Sequence, residues 1–148
     1  MTLSKELSRV NRLFIDTPPV IYYIEAHPQF GPLVKEIVDL FQSDGAVAFS
    51  SVLTLTEVLS KPIEAGDENL ARKFAEFLKY GKNLGLIEIS VDVAERAGRL
   101  RGQYPDLRTV DAVQISAAIG IGADAFVTND KKLKRIKELN VIVLSDYL

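Results

Sequence analysis

The stretch "AFVTND" (Ala125–Asp130) opens as a strand and closes on three polar residues. An apolar run without alternation fits a strand covered on both faces, as in a parallel sheet. The segment before it, "TVDAVQISAAIGIG" (109–122), places Val110, Val113, Ala117 and Ile121 at helical spacing, with Thr109 as the expected N-cap. Its many Ala, Ser and Gly residues imply close packing on a sheet. A helix leading straight into a buried strand is half of a βαβ unit, which directs attention to further strand and helix pairs along the chain.

Four other short runs qualify as strands: "RLFID" (12–16), "AVAFS" (46–50), "LIEIS" (86–90) and "VIVLS" (141–145). Helical stretches alternate with them. Residues 32–44 are closed by Gly45 as an expected C-terminal cap, and 68–81 carry a stripe of Leu70, Phe74, Phe77 and Leu78. Residues 91–104 align Val93, Ala97, Leu100 and Tyr104, and 131–139 read as a short basic helix. This alternation predicts an α/β fold, a three-layer α/β/α sandwich around a central, mainly parallel sheet of about five strands. One domain is expected over residues 1–148, with disorder confined to the first ten.

Composition narrows the function. The 148 residues are 47% hydrophobic and 26% charged, as in ordinary globular domains. There is no cysteine, which excludes disulfides, thiolate metal sites and cysteine nucleophiles and fits a cytoplasmic setting. The first residues are too polar for a signal peptide, and no apolar run is long enough to span a bilayer. A net charge of −2 argues against holding nucleic acid by bulk charge alone. Cations do cluster locally, at Lys131, Lys132, Lys134, Arg135 and Lys137, although such runs are ordinarily solvated faces.

The acids carry the sharper signal. In parallel sheets flanked by helices, ligands bind beyond the carboxyl ends of the strands. Asp16 ends the first strand and Asp130 follows the fourth; Glu57 lies early in the helix after the second, and Asp111 in the first turn of the helix feeding the fourth. All four are therefore expected at one crevice. Singly, each has an ordinary explanation. Asp16 can make a turn before Pro18-Pro19, Thr54-x-x-Glu57 can be a capping box, the helix dipole favours Asp111, and Asp130 can cap the segment behind it. Together they form a cluster of like charges that calls for cations or basic partners. With no Cys, and His27 alone in a turn-like "HPQFGP", Mg²⁺ or Mn²⁺ on oxygen ligands is the expected neutraliser.

The stretches "FIDTPPVIYYIEAHP", "SSVLTLTEVLSKP", "LRTVDAVQISAAIGIGADAFVTNDKKL" and "VIVLSDYL" together resemble the PIN-domain family, and within it the VapC-like toxins of toxin–antitoxin pairs. By motif, the four family acids fall on Asp16, Glu57, Asp111 and Asp130, with Thr128 and Asn129 as auxiliary polar residues. The resemblance implies a PIN-like fold and a metal-dependent ribonuclease, usually restrained by a cognate antitoxin and often a homodimer. One departure is Pro18, where many relatives have a small polar residue, so an auxiliary hydrogen bond is left without a donor.

The mechanism expected on this basis is attack on an RNA phosphodiester by water activated by Mg²⁺ or Mn²⁺ held on the four acids, with no side-chain nucleophile. Lys131, Lys132 and Arg108 are the candidate RNA contacts. Tyr22 and Tyr23 are read as packing residues, while Leu59, Ile63, Phe74 and Phe77 fit either the core or a groove for an antitoxin helix. Two rivals use fewer of the acids: a catalytically silent binding module, and a phosphotransfer domain with Asp16 as nucleophile. The latter ordinarily has a second Asp two residues on, where this chain has proline.

Overall fold

The computed structural model describes residues 1–148. Five strands, β1 (Arg12–Ile15), β2 (Val47–Ser51), β3 (Leu84–Ile87), β4 (Ala125–Thr128) and β5 (Val141–Val143), form one sheet in the order β3-β2-β1-β4-β5. Every pairing is parallel. One face carries α1 (Leu3–Leu7), α2 (Thr17–Ile24), α3 (Gly31–Gln42), α4 (Val52–Glu64) and α5 (Glu68–Tyr80). The other carries α6 (Val91–Gln103) and α7 (Thr109–Gly120). The three-layer arrangement agrees with the expectation, and the sheet is wholly rather than mainly parallel.

Strand periodicity divides the core. In β1, Leu13 and Ile15 face the α1–α5 layer and Phe14 faces α6 and α7; in β4, Ala125 and Val127 oppose Phe126 in the same way. Phe14 and Phe126 are register partners, and their rings stack with centroids 5.5 Å apart. Both central strands thus bury residues on two faces, which is why their sequences lack alternation.

Several boundaries differ from expectation, each for a pairing reason. β3 begins and ends earlier than "LIEIS" because β2 turns into α4 after Ser51, the partner of Ile87. Glu88 onward has nothing to pair with, and Ser90 instead caps α6 through Val93 N–H. β5 stops at Val143, opposite the last residue of β4, and Leu144–Tyr147 form a 3₁₀ turn. The basic helix expected at 131–139 is only a 3₁₀ turn, Lys131–Arg135. Asn140 must return to accept a bond from Phe126 N–H before β5, which leaves no length for a helix.

The N-terminal ten residues are ordered: α1 buries Leu3 and Leu7, and Val10 joins the same core. Gly45 is not the left-handed cap of α3. Asp44 takes that conformation (φ 66°), and Gly45 is needed because a Cβ there would lie 2.9 Å from the Leu40 carbonyl oxygen. Thr109 lies inside α7, whose N-cap is Arg108. Of the expected face, Ala117 is buried and Val113 and Ile121 are half-buried, but Val110 is exposed; the helix also buries Asp111, Ala112, Gln114, Ile115 and Ala118, wedged between the sheet and α6. Phe74 is core, Leu59 and Phe77 pack partly against it, and Ile63 stands exposed. No helix is long and apolar enough to cross a membrane.

Phe126→Ala should destabilise the protein by about 3–5 kcal/mol, as expected for a fully buried aromatic, whereas Val110→Ser should stay within about 0.5 kcal/mol. Urea unfolding of both variants checks the burial of Phe126 in β4 and the outward placing of Val110 on α7.

Candidate active site

Strand order reverses between β1 and β4, and the crevice beyond their carboxyl ends is where α/β sheets take ligands. Asp16 leaves β1 as the N-cap of α2, whose first turn holds Pro18 and Pro19. One carboxylate oxygen accepts from Thr17 N–H at 2.9 Å and the other from the Thr128 hydroxyl at 2.9 Å. Thr128 Oγ1 also accepts from Asp130 N–H at 3.2 Å, so the end of β4 fixes two acids together. Glu57, in the second turn of α4, accepts from the Thr17 hydroxyl at 2.7 Å. Asp111, in the first turn of α7, receives two bonds from the Arg108 guanidinium, at 2.9 and 3.3 Å.

All four acids line one crevice of about 280 Å³, together with Thr17, Pro18 and Arg108. Asp16 and Asp111 are buried, at 7% and 8% exposure, while Glu57 and Asp130 lie nearer solvent. Burial, above all, pushes the Asp16 carboxyl from its ordinary 3.8 to about 6; the bonds from Thr17 and Thr128 oppose this, and the charges of Asp111 and Glu57 reinforce it. Arg108 is held above its ordinary value chiefly by Asp111, with Asp130 and Asp16 adding to the same field.

The acids surround the crevice without any three of them closing into a ready-made ligand group. Arg108 occupies Asp111, and Thr17 holds Glu57. The donor chemistry nevertheless fits a hard divalent cation: the ligands are all oxygen, and Mg²⁺ commonly takes one or two carboxylates and completes its shell with water. A cation would also relieve the cost of ionising Asp16 in this buried, acidic setting.

A second polar cavity of about 420 Å³ shares Arg108, Asp111 and Asp130 with the crevice and adds Lys132 and Arg135. Arg135 is paired with Asp106 at 2.8 Å. Lys131 is exposed and lines neither cavity. Asn129 turns away: its amide donates to Tyr22 Oη and its carbonyl accepts from Ser145 N–H, so it clamps α2 to the C-terminal turn. A more apolar hollow of about 320 Å³ between α2 and α3, lined by Tyr23, His27 and Pro28, holds no carboxylate. His27 sits in a turn, where its Nδ1 accepts from Gln29 and Phe30 N–H.

Sequence reasoning missed the polar residues beneath the acids. Thr54 is not a capping residue, because Ser51 caps α4; its hydroxyl is fully buried against Thr17 and Gln114. Pro18 has no side-chain donor to offer, and the hydroxyl that reaches Glu57 is that of Thr17. Gln114 had a usable signal: a long polar side chain one turn after Asp111, in a helix otherwise built from small and apolar residues.

A family model, "PIN domain", matches residues 13–139. Comparison with curated protein sequences gives no match. Among solved structures, the chain is similar to VapBC2 from Rickettsia felis bound to a promoter DNA fragment, with a TM-score of 0.70 and 22% identity over 89% of this chain and 98% of that one. DNA-bound VapBC from Salmonella typhimurium gives 0.71 and 19% over 90% and 98%. VapC20 from Mycobacterium tuberculosis, a sarcin-ricin loop cleaving toxin, gives 0.61 and 17% over 77% and 86%. At these identities the likeness is one of fold.

The raised Asp16 value has a pH consequence. Protonation of Asp16 favours the folded state, so its stabilising effect is complete below 3.8 and is lost as pH rises through about 6. In chelator at pH 7, Asp16→Asn should therefore exceed the wild type in stability by up to ~3 kcal/mol. The gap should shrink as pH falls from 6 toward 4. Denaturant titrations across that range test this, and a pH-independent gap would contradict it.

Proposed function

We infer that this chain, which belongs to the PIN-domain family, is a divalent-metal-dependent endoribonuclease and the toxin of a toxin–antitoxin pair. The observation that carries the reading is the meeting of Asp16, Glu57, Asp111 and Asp130, from four separate segments, at the sheet's switch point, with Asp16 buried where its charge is costly. The fold likeness to the sarcin-ricin loop cleaving toxin supports extending RNA cleavage to this chain. Likeness to toxin chains in VapBC complexes supports a protein antitoxin as partner. We place the activity in a single cytoplasmic domain spanning residues 1–148, acting as a homodimer.

In this reading the four acids hold Mg²⁺ or Mn²⁺, directly or through water. The cation supplies neutralising charge and a more acidic water for attack on the phosphodiester. The chain's own work is positioning. Thr17 N–H and the Thr128 hydroxyl fix both oxygens of Asp16, and the Thr17 hydroxyl aims Glu57. Arg108 and Lys132 flank the crevice and draw the phosphate backbone toward an otherwise repulsive acidic centre, with Lys131 adding exposed positive charge.

A second reading, a catalytically silent PIN-like module that receives a basic partner segment, is favoured by one observation: no three acids form a closed ligand group. Purified protein incubated with an RNA pool and Mg²⁺, Mn²⁺ or chelator separates the two. Metal-dependent cuts that vanish in a folded Asp111→Asn variant are expected; an inert wild type that binds Mn²⁺ and is free of antitoxin would favour the silent module. Replacing Lys131 and Lys132 with Ala should weaken RNA binding and reduce the slope of log K against log salt by roughly 1.4, the value for two phosphate contacts on a single strand. An unchanged slope would make both lysines ordinary surface.

A further inference from the structure

Beneath the acids lies a chain of buried hydrogen bonds whose direction is fixed by its ends. Glu57, as a carboxylate, can only accept, so at 2.7 Å the Thr17 hydroxyl must donate to it. The Thr17 proton is then committed, and the 2.9 Å contact between Thr17 and Thr54 requires the Thr54 hydroxyl to donate to Thr17. Thr54 Oγ1 in turn accepts from the Gln114 amide at 2.7 Å. At the far end Ser51 Oγ accepts from Leu53 N–H at 3.2 Å, and its own proton goes to Gln114 Oε1. Every bond therefore points one way, from a backbone amide at the start of α4 to the carboxylate of Glu57.

Ser51, Thr54 and Gln114 are fully buried and Thr17 nearly so. Away from bulk solvent, each link left unmade would cost the desolvation of its buried polar partner. The spacing is also regular. Thr54 lies one turn before Glu57 on α4, Gln114 one turn after Asp111 on α7, and Thr17 directly follows Asp16. The elements bearing Asp16, Glu57 and Asp111 thus each place a link next to or one turn from their acid, and the Gln114–Thr54 bond ties α7 to α4 just under the crevice.

We propose that Gln114 and Thr54 are positioning residues that act through Thr17: they set the direction of the hydrogen-bond chain that aims Glu57 and fix the spacing between the helices bearing Glu57 and Asp111. The proposal rests on the metal-dependent nuclease reading for its functional meaning, while its physical content can be read from metal affinity alone. Gln114 is suited to the task because one amide group accepts from Ser51 on one side and donates to Thr54 on the other. Neither an ionised glutamate nor an apolar side chain can do both.

The test uses Mn²⁺ as probe, with isothermal titration for affinity and RNA cleavage under saturating Mn²⁺ for kcat and KM. Thr54→Val keeps the shape and removes the donor; it should weaken Mn²⁺ binding about tenfold or more, the usual scale for groups that orient ligands. It should also lower kcat while leaving KM for RNA within about threefold, since phosphate contacts are untouched. Thr54→Ser should restore both quantities, which a purely steric role would not produce. Gln114→Met, close in volume, should weaken Mn²⁺ in the same direction and provides the test if Thr54→Val does not fold. Folded variants that bind Mn²⁺ and cleave like the wild type would overturn the positioning role and leave the nuclease reading standing. A wild type that binds Mn²⁺ but cuts no RNA would remove the nuclease reading, with the variant affinities still deciding the positioning role. A wild type without Mn²⁺ affinity would overturn both.

Discussion

The parallel direction of every strand pair is the constraint on which the site depends. It delivers the carboxyl ends of all five strands to one edge, and α2 and α4, leading onward from β1 and β2, begin there too. Asp16 and Asp130 arrive by the first route, and Glu57 near the start of α4 by the second. Asp111 comes by a third, since α7 runs antiparallel to the strand it feeds and so starts at the same edge. Because the order reverses between β1 and β4, the flanking helices part at that point and leave a hollow for the acids to line.

Concentrating acids in this way opposes stability, and the chain moderates the conflict with neutral donors and a single arginine. Thr17 and Thr128 surround Asp16 with hydrogen bonds yet do not cancel the cost of burying its charge. Arg108 is three-quarters exposed while its partner Asp111 is not, so the pair is anchored on the acid's side and open on the cation's. An exposed guanidinium can change partners without disturbing the core, whereas a buried one could not. The acidic centre is therefore held by bonds that leave it polar and accessible.

Much of this was legible in the chain itself. β1 and β4 bury both faces, and their continuous apolar runs said so; the acids could be placed because chain direction in a parallel sheet follows from strand and helix order alone. What escaped depends on neighbours. The ends of β3 and β5 are set by where β2 and β4 stop, a property of the partner strand. The exposed Val110 was misplaced because α7 is covered from two directions, so no single apolar stripe marks its inner side. The basic segment after Asp130 had helical composition, but the return to β5 restricts it to a 3₁₀ turn. Thr54 and Gln114 were hidden for a different reason: a buried polar residue looks in sequence like a surface one until its partners from distant segments are known.

The two prolines at the start of α2 bear on the electronics of Asp16. An N-cap carboxylate ordinarily accepts from the amides of the second and third helical residues. In α2 those residues are Pro18 and Pro19, which have no N–H to give. Asp16 consequently receives one backbone bond, from Thr17, and one hydroxyl, from Thr128. An ionised carboxylate offers about four lone-pair directions, so roughly half of them remain open. The prolines thus start a helix without drawing on the carboxylate that caps it, and Asp16 can serve at once as a structural cap and as a free Lewis base.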